Sequence, residues 1–188
     1  MEQPLLEIAH LLLRPFGLTD APDVQRLAGA PEVADTTLNL PHPYEDGMAE
    51  QWISSQPACF ESGSSIAYAI TRRGDGVLLG AISLMEISAR HRRAELGYWL
   101  GVSFWNQGYM TEAAEALVHY GFTEMGLHKI TASHFARNPV SGRVLQKTGM
   151  TQEGVLRQDF CKDGVYEDLV LYGLLAEEWR LGCPETRS

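Results

Sequence analysis

Apolar and polar positions follow two different periods along the chain, which together predict a protein built from both strands and helices. Runs of apolar, β-branched and aromatic residues bounded by turn-forming residues predict seven strands. These strands are predicted at residues 10–14, 66–71, 77–86, 94–100, 128–135, 151–160 and 165–174. Short connections rich in Gly, Asp and Arg separate three consecutive pairs of them, as is typical of antiparallel hairpins.

Four helices are predicted from apolar residues that recur every three or four positions. The first begins with capping residues and a proline at residues 19–23, and its core face carries Val24, Leu27 and Ala28. The others are predicted at residues 44–55, 111–125 and 138–147, with a turn-rich segment at 31–43 and helix-ending glycines at Gly126 and Gly149. This order predicts a mixed α/β domain with an antiparallel first half and a helical crossover in the middle.

The composition is that of a globular chain. With 188 residues, 45% hydrophobic and 21% charged, it can bury a full core, and we expect one domain over residues 1–188 with its core at about 11–179. The N-terminus has no basic region before an apolar core, and no apolar run reaches the roughly 20 residues of a membrane helix. We therefore expect a cytoplasmic protein without a membrane segment. Cys59, Cys161 and Cys183 are scattered, which favours free thiols over disulfides or a zinc site.

The net charge of −9, from 15 basic and 24 acidic residues, argues against nucleic-acid binding as a main role. An acidic protein can attract cationic amines. One stretch breaks the pattern: residues 125–152 contain no Asp or Glu but carry Lys129, Arg137, Arg143 and Lys147. That stretch is either a chance run with a solvated helix face or one wall of an anion-binding site.

A glycine-containing loop joins a predicted strand to a predicted helix within residues 94–114, AELGYWLGVSFWNQGYMTEAA. The strand breaks at Gly101, and the loop reaches Gly108 just before the helix begins. Backbone N–H groups converge at a helix N-terminus and bind phosphate there. The junction therefore predicts a site for an anionic cofactor, the alternative being a simple helix entry. Glu95 lies on the strand that leads into it.

The chain resembles the GNAT superfamily of acyl-CoA-dependent N-acyltransferases in three sequence blocks. The blocks are AELGYWL with FWNQGYMTEA, ARNPVSGRVLQKTGM, and EGVLRQDFCKDGVYEDLVLYGL, within a match over about residues 11–179. Within the superfamily, the chain is most similar to the Rim-type branch of ribosomal-protein alanine or serine N-acetyltransferases and their small-molecule relatives. The resemblance implies a central, mostly antiparallel sheet of about seven strands, splayed between the fourth and fifth and flanked by helices.

The resemblance also implies acetyl-CoA as cosubstrate and no metal. The phosphate loop of the superfamily, Gln/Arg-x-x-Gly-x-Gly/Ala, corresponds to residues 105–110, where Gly108 fits and Trp105 and Met110 depart from the pattern. The backbone of Trp99 and Leu100 is expected to pair with the pantetheine arm, whereas the side chains of Tyr98 and Trp99 are also explained by sheet packing. The expected cofactor-binding residues are Trp99, Leu100, Asn106, Gln107, Gly108, Tyr109, Met110, Thr111, Asn138 and Arg143.

Acetyl transfer to an amine needs a base for the amine proton and a donor for the departing thiolate. The resemblance places the base at Glu95, with Glu86 as the reserve candidate. The alternative for Glu95 is an exposed strand residue paired with Arg92 or Arg93.

Ser141 is the candidate donor to the thiolate. Asn138 is either a helix cap alone or also a contact to the cofactor arm. Arg143 and Lys147 either meet the 3′-phosphate or are solvated.

The expected function is acetyl transfer to a primary amine, a protein N-terminus or a small amine, by direct transfer in a ternary complex. No cysteine lies at a reactive position of the three blocks, which disfavours a covalent acetyl-enzyme. In the family, part of the acceptor pocket corresponds to residues 41–53, for which helix packing is the alternative, and an acidic mouth near Glu45 and Asp46 is expected to favour cationic amines. A homodimer is compatible with the resemblance. The rival function is a non-catalytic acyl-CoA-binding sensor or scaffold.

Overall fold

The computed structural model describes residues 2–182 and is organised around one eight-stranded sheet. Its strands are β1 (Leu6–Glu7), β2 (Leu11–Arg14), β3 (Ile66–Arg72), β4 (Leu78–Ser88), β5 (Arg93–Leu100), β6 (Lys129–Phe135), β7 (Thr151–Lys162) and β8 (Val165–Leu175). They lie in the order β1-β2-β3-β4-β5-β6-β8-β7, and every neighbouring pair is antiparallel except β5 and β6. All seven predicted strands are present. The additional β1 is two residues long, too short to show a period in the sequence.

The parallel pair at the centre of the sheet separates along its length. Pairing between β5 and β6 covers only Arg93–Lys129, Ala94–Ile130 and Glu95–Thr131. Beyond these residues, β5 continues to Leu100 and β6 continues to Phe135, but the two strands no longer pair with each other. The splay expected between the fourth and fifth predicted strands is therefore confirmed, and it leaves a gap in the middle of the sheet.

Six α-helices flank the sheet: α1 (Ala21–Ala28), α2 (Pro31–Thr36), α3 (Met48–Ser62), α4 (Tyr109–Thr123), α5 (Pro139–Lys147) and α6 (Ala176–Gly182). The short α2 lies in the segment predicted to be only turns, and Pro31 occupies its first turn, where proline is tolerated. Helix α3 begins later than predicted, after Gly47 at a φ of 86°, and it runs through Pro57 to Ser62, with Gly63 as its C-cap. The predicted end before Pro57 was wrong because helix packing outweighs the breaking tendency of one proline here.

The helices cover the two faces of the sheet and define where the site can lie. On one face, α4 and α5 bury Leu117 and Leu145 against Leu84 and Leu96. On the other face, α1 and α3 bury a separate cluster that includes Leu27 and Ile53, and the predicted core face of α1 is confirmed. The gap between β5 and β6 therefore connects the face covered by α4 and α5 with the face covered by α1 and α3.

A segment that we call the strap, residues 35–41, crosses from α2 toward α3 and is held by side chains from the second half of the chain. The Arg137 guanidinium donates to the carbonyl of Asp35 at 2.7 Å, and Asn138 Nδ2 donates to that of Thr36 at 3.4 Å. The buried ammonium of Lys162 donates to the carbonyl of Leu40 at 2.5 Å and to that of Leu38 at 3.4 Å. Side chains distant in sequence thus fix this segment, in which only Asp35 and Thr36 belong to a helix.

Within residues 2–182, no helix combines the length and apolar character needed to cross a bilayer. The same part of the chain contains no group of three or more His, Cys, Asp or Glu side chains placed to hold a metal ion. Cys59 and Cys161 are free thiols, and Cys183 lies outside the described residues.

The Lys162 contacts predict a local effect on the strap. We expect Lys162→Met to speed amide hydrogen exchange in peptides covering the strap by roughly tenfold or more, because two charge-assisted hydrogen bonds are lost. Lys162→Arg should restore most of the protection. Lys147→Met, at an exposed position on α5, is the matched control and should leave the strap unchanged. Equal exchange in the Lys162→Met and wild-type proteins, measured by mass spectrometry, would contradict the assignment.

Candidate functional site

Two cavities meet at the gap between β5 and β6. The larger has a volume of about 590 Å³ and lies toward α1, α3 and the strap, and the smaller, of about 180 Å³, lies toward α4 and α5. Five residues line both cavities: Thr36, Thr37, Tyr98, Trp99 and Ser141. They mark the passage through the sheet, so two molecules bound from opposite faces would meet at these side chains.

The open edge of β5 supplies backbone groups to this passage. Gly101 N–H donates to a carbonyl of β4 at 2.9 Å, which sets the alternation along the strand. The backbone groups of Tyr98 and Leu100 consequently face the gap, whereas those of Trp99 face β4. Leu100 therefore lies at the open edge as predicted, with its carbonyl accepting from Trp105 Nε1–H at 2.8 Å. This register turns the backbone of Trp99 toward β4 and so corrects its expected backbone role, although Trp99 lines both cavities.

The smaller cavity gathers half of the predicted cofactor-binding residues. Its walls include Trp99, Leu100, Asn106, Met110 and Asn138. The side chain of Met110 is buried in the core, which explains why a large residue replaces the small one of the family pattern. These five residues therefore lie on several elements that surround the smaller cavity.

The N-terminus of α4 stands next to the smaller cavity. Gly108 is the N-cap at a φ of 86°, and the helix continues for 15 residues. The N–H groups of Tyr109, Met110 and Thr111 have no partner within the helix, as at every helix start. Gln107, by contrast, folds back to donate to Ser103 C=O at 2.8 Å. The junction thus has the backbone arrangement that binds phosphate elsewhere.

The acid-free stretch is only partly a basic wall. Lys129 pairs with Glu153 at 2.6 Å, and Arg137 pairs with both Asp35 and Glu167. Arg143 and Lys147 are exposed on α5 and form no ion pair among the described residues. Two of the four cations are therefore neutralised, and the two on α5 are available to an anion.

Glu95 lies half-buried in the wall of the larger cavity. Burial raises the pKa of its carboxyl above the usual range, and the nearby Glu86 carboxylate raises it further, whereas a hydrogen bond from Ser133 lowers it. Ser133 Oγ donates to Glu95 Oε1 at 3.1 Å. Arg93 also lowers this pKa through its charge, but neither Arg92 nor Arg93 forms an ion pair with Glu95, and the residue is half-buried and not fully exposed. The Glu95 carboxyl therefore holds its proton to a higher pH than an exposed glutamate does.

Glu86, the reserve base, lies outside the walls of both cavities. It is exposed at an irregularity in the β4–β5 pairing, with a φ of 49°. Its effect on the site is electrostatic, through the pKa of Glu95.

Tyr98 and Ser141 form a hydroxyl pair in the passage. The Tyr98 Oη to Ser141 Oγ distance is 2.9 Å, and the Tyr98 hydroxyl also donates to the Ser141 carbonyl at 3.2 Å. Burial is the main cause that raises the pKa of Tyr98 to about 12, so the phenol stays protonated. Asn138 caps α5 by accepting from Ser141 N–H at 3.4 Å, which fixes the backbone of Ser141 in turn.

Several site residues had no clear signal in the sequence. Ser133 carries no motif, and only the register Glu95–Thr131 places it two residues further along β6, beside the carboxylate. The hydrogen bond between the hydroxyls of Tyr98 and Ser141 joins residues that are 43 positions apart in the sequence. Cys59 lines the larger cavity but not the passage. The three sequence blocks did not indicate this position of Cys59.

Part of the predicted acceptor region forms a wall of the larger cavity. Tyr44 and Trp52 line the larger cavity, together with Ser55 of α3. Glu45 and Asp46 are exposed and do not line it. The side chains at the cavity mouth therefore do not form the acidic cluster expected from sequence.

Comparison with known proteins places these features in a family. Residues 10–151 match the model of the acetyltransferase (GNAT) domain. An uncharacterized N-acetyltransferase of Bacillus subtilis (strain 168), YoaA, is 32% identical over 172 residues, covering 92% of this chain and 97% of that protein. The ribosomal-protein-serine acetyltransferase of Escherichia coli (strain K12) is 32% identical over 100 residues, 53% of this chain and 56% of that protein.

A solved structure shows the same fold at low sequence identity. The spermidine N-acetyltransferase of Vibrio cholerae, in complex with CoA and spermine, superposes with a TM-score of 0.79 at 21% identity, covering 90% of this chain and 98% of that one. The overall fold is thus shared. The chain belongs to the GNAT family and is an N-acetyltransferase.

Proposed function

We propose that this protein transfers an acetyl group from acetyl-CoA directly to a primary amine, bound in the larger cavity. The observation that carries the proposal is the meeting of the two cavities at Tyr98 and Ser141, with Glu95 on the acceptor side. Two substrates entering from opposite faces would bring an amine and a thioester together only there. Protein N-termini and small amines both satisfy this geometry.

Several contacts support binding of CoA through the smaller cavity. The pantetheine arm is an extended chain with amides, and the backbone groups of Tyr98 and the N–H of Leu100, which have no strand partner, offer it strand-like hydrogen bonds. The N–H groups at the start of α4 suit the pyrophosphate, and exposed Arg143 and Lys147 suit a further phosphate. The Vibrio cholerae neighbour with the same fold is described in complex with CoA.

The chemistry follows from the position of each group. Glu95 accepts the proton of the ammonium, and the freed amine nitrogen forms a bond to the acetyl carbonyl carbon. The N–H groups on the open edge of β5 stabilise the oxyanion of the tetrahedral intermediate. The C–S bond then breaks, the thiolate receives a hydrogen bond from Ser141, and the second proton of the nitrogen passes to the sulfur, which leaves the amide and the CoA thiol. Because a serine hydroxyl is a weak acid, Ser141 stabilises the thiolate and does not need to transfer its proton.

The rival is a non-catalytic module that binds CoA. Such a module would need the α4 N-terminus but not a half-buried carboxyl with a raised pKa in the second cavity. Release of free thiol from acetyl-CoA in the presence of amines separates the two functions. Binding of CoA without turnover of any amine would favour the module.

A charge at the start of α4 should test the cofactor site. We expect Gly108→Asp to weaken CoA binding by roughly tenfold or more, measured by calorimetry, because it places a negative charge beside the anion. A Cβ at this position meets no atom within 4 Å, although the φ of 86° strains most side chains. Gly108→Asn, which has the same shape and tolerates this backbone, is the neutral control and should retain binding. Equal affinities in the two variants would place the site elsewhere.

The pH dependence of turnover should report Glu95. A carboxylate base is active when deprotonated, so kcat should fall at acidic pH through a pKa above the usual glutamate range. Ser133→Ala removes the hydrogen bond that lowers this pKa and should move the limb to higher pH. Glu86→Gln removes a like charge and should move it to lower pH. Glu95→Gln should lower kcat by roughly 10²-fold and abolish the limb. An unaltered profile in Glu95→Gln would assign the base to another group.

The hydroxyl pair should matter for departure of the thiolate. We expect Ser141→Ala to lower kcat by about tenfold or more with little change in the KM for acetyl-CoA, and Tyr98→Phe to have a smaller effect. Cys59→Ala should retain turnover, because direct transfer needs no thiol nucleophile. Loss of activity in Cys59→Ala, together with acetylation of Cys59 detected by mass spectrometry, would instead indicate a covalent acetyl-enzyme.

A further inference from the structure

The charge of the larger cavity is unlike that of a site for a polycation. Among the described residues that line it, Glu95 is the one carboxylate, and no Lys or Arg is present. Glu86 acts on Glu95 from outside the walls, and Glu45 and Asp46 are exposed and do not line the cavity. One ammonium can therefore be matched next to Glu95. A second or third ammonium on the same acceptor would lose water without a carboxylate partner in the cavity.

Part of the polar wall is engaged within the protein. The hydroxyl of Thr37 donates to the carbonyl of Val33, that of Ser55 donates to the carbonyl of Trp52, and Ser133 donates to Glu95. Gln56 Nε2 also donates to the carbonyl of Trp52, and Ser83 to that of Gly97. Asn39, Tyr44, Ser65 and His134 line the cavity as well, and the buried Nε2 of His134 has no hydrogen-bond partner among the described residues. Single hydroxyl groups of an acceptor can therefore be matched here, and the selectivity of the walls lies in their charge and their apolar surface.

The apolar part of the walls is broad and contains fixed aromatic rings. Tyr44, Trp52 and Trp99 line the cavity, together with Met48 and Met85. The ring of Trp52 is held by an edge contact with Phe16, at a centroid distance of 4.8 Å and an angle of 74°. Aromatic and thioether side chains favour flat apolar groups, because both make close contacts with ring faces and edges.

From these features we infer the chemical class of the acceptor: a primary amine with a single positive charge on an apolar, ring-containing body. The volume of about 590 Å³ accommodates such a body with its amine directed to Glu95. The inference rests on the proposed acetyl transfer and narrows its substrate. A free arylalkylamine and a peptide that begins with an aromatic residue share this chemistry.

The inference is tested by turnover of acetyl-CoA with four amines: 2-phenylethylamine, a tripeptide that begins with phenylalanine, spermidine and glucosamine. We expect kcat/KM for at least one of the first two to exceed that for spermidine and glucosamine by about tenfold or more. The ratio of the first two distinguishes a free amine from a peptide N-terminus. Preference for spermidine or glucosamine would overturn the inference but leave the transferase function standing. No turnover of any amine, with CoA still bound, would overturn both.

Two variants examine the walls directly. Trp52→Ala should lower kcat/KM for the preferred apolar amine by about tenfold and change that for spermidine little, whereas Tyr166→Ala, an exposed aromatic outside the cavity, is the control. Met48→Glu adds a second carboxylate at the first position of α3, where a negative charge is compatible with the helix. It should raise the ratio of kcat/KM for spermidine to that for 2-phenylethylamine, and Met48→Gln should not. An unchanged ratio in Met48→Glu would contradict the inference.

Discussion

The arrangement of the site depends on one local failure of strand pairing. β5 and β6 pair over three residues of each strand and then separate. Backbone groups in a sheet normally satisfy each other, and an unpaired polar edge inside a domain is costly unless a ligand or water pairs with it. Here the indole of Trp105 satisfies one of these groups, the carbonyl of Leu100. The other groups on this edge remain open to an extended ligand, which explains why both cavities converge on the same break.

The splay also accounts for the long-range side-chain contacts around it. The sheet does not close the space between α2 and α3, so the strap crosses this space without strand partners. The backbone carbonyls of the strap therefore need hydrogen-bond donors from other parts of the chain. Arg137, Asn138 and Lys162 supply them across more than 100 positions of sequence. The same contacts neutralise part of the acid-free stretch, since Arg137 also pairs with Asp35 and Glu167. Cations that looked available for a phosphate in the sequence are therefore partly structural.

The residues that sequence could and could not predict differ in the range of their interactions. Period and turn residues gave all seven longer strands, and the glycine before α4 and the cap at Asn138 are local signals that the structure confirms. Helix α2 was missed because its six residues begin with a proline between turn-forming neighbours. The partners of Glu95 and Ser141 depend on register and on helix placement, which no local pattern encodes. The direction of the Trp99 backbone could not be predicted from sequence for the same reason. It follows from the pairing of β5 with β4, which the hydrogen bond of the Gly101 N–H to β4 reports.

The alternation of side chains along β5 explains why the proposed base, Glu95, lies on the other side of the strand from the Tyr98 hydroxyl that contacts Ser141. Successive residues of a strand point to opposite faces, so Glu95 and Trp99 belong to the side of α1 and α3, whereas Tyr98 points toward α5 and Ser141. A general base and a donor on one continuous face would have to share a single cavity with both substrates. In the proposed reaction, Glu95 would act on the amine from one face, and Ser141 would act on the thioester at the passage, where the two cavities meet. The separation that weakens the sheet would thus also supply the geometry for the direct transfer that we propose.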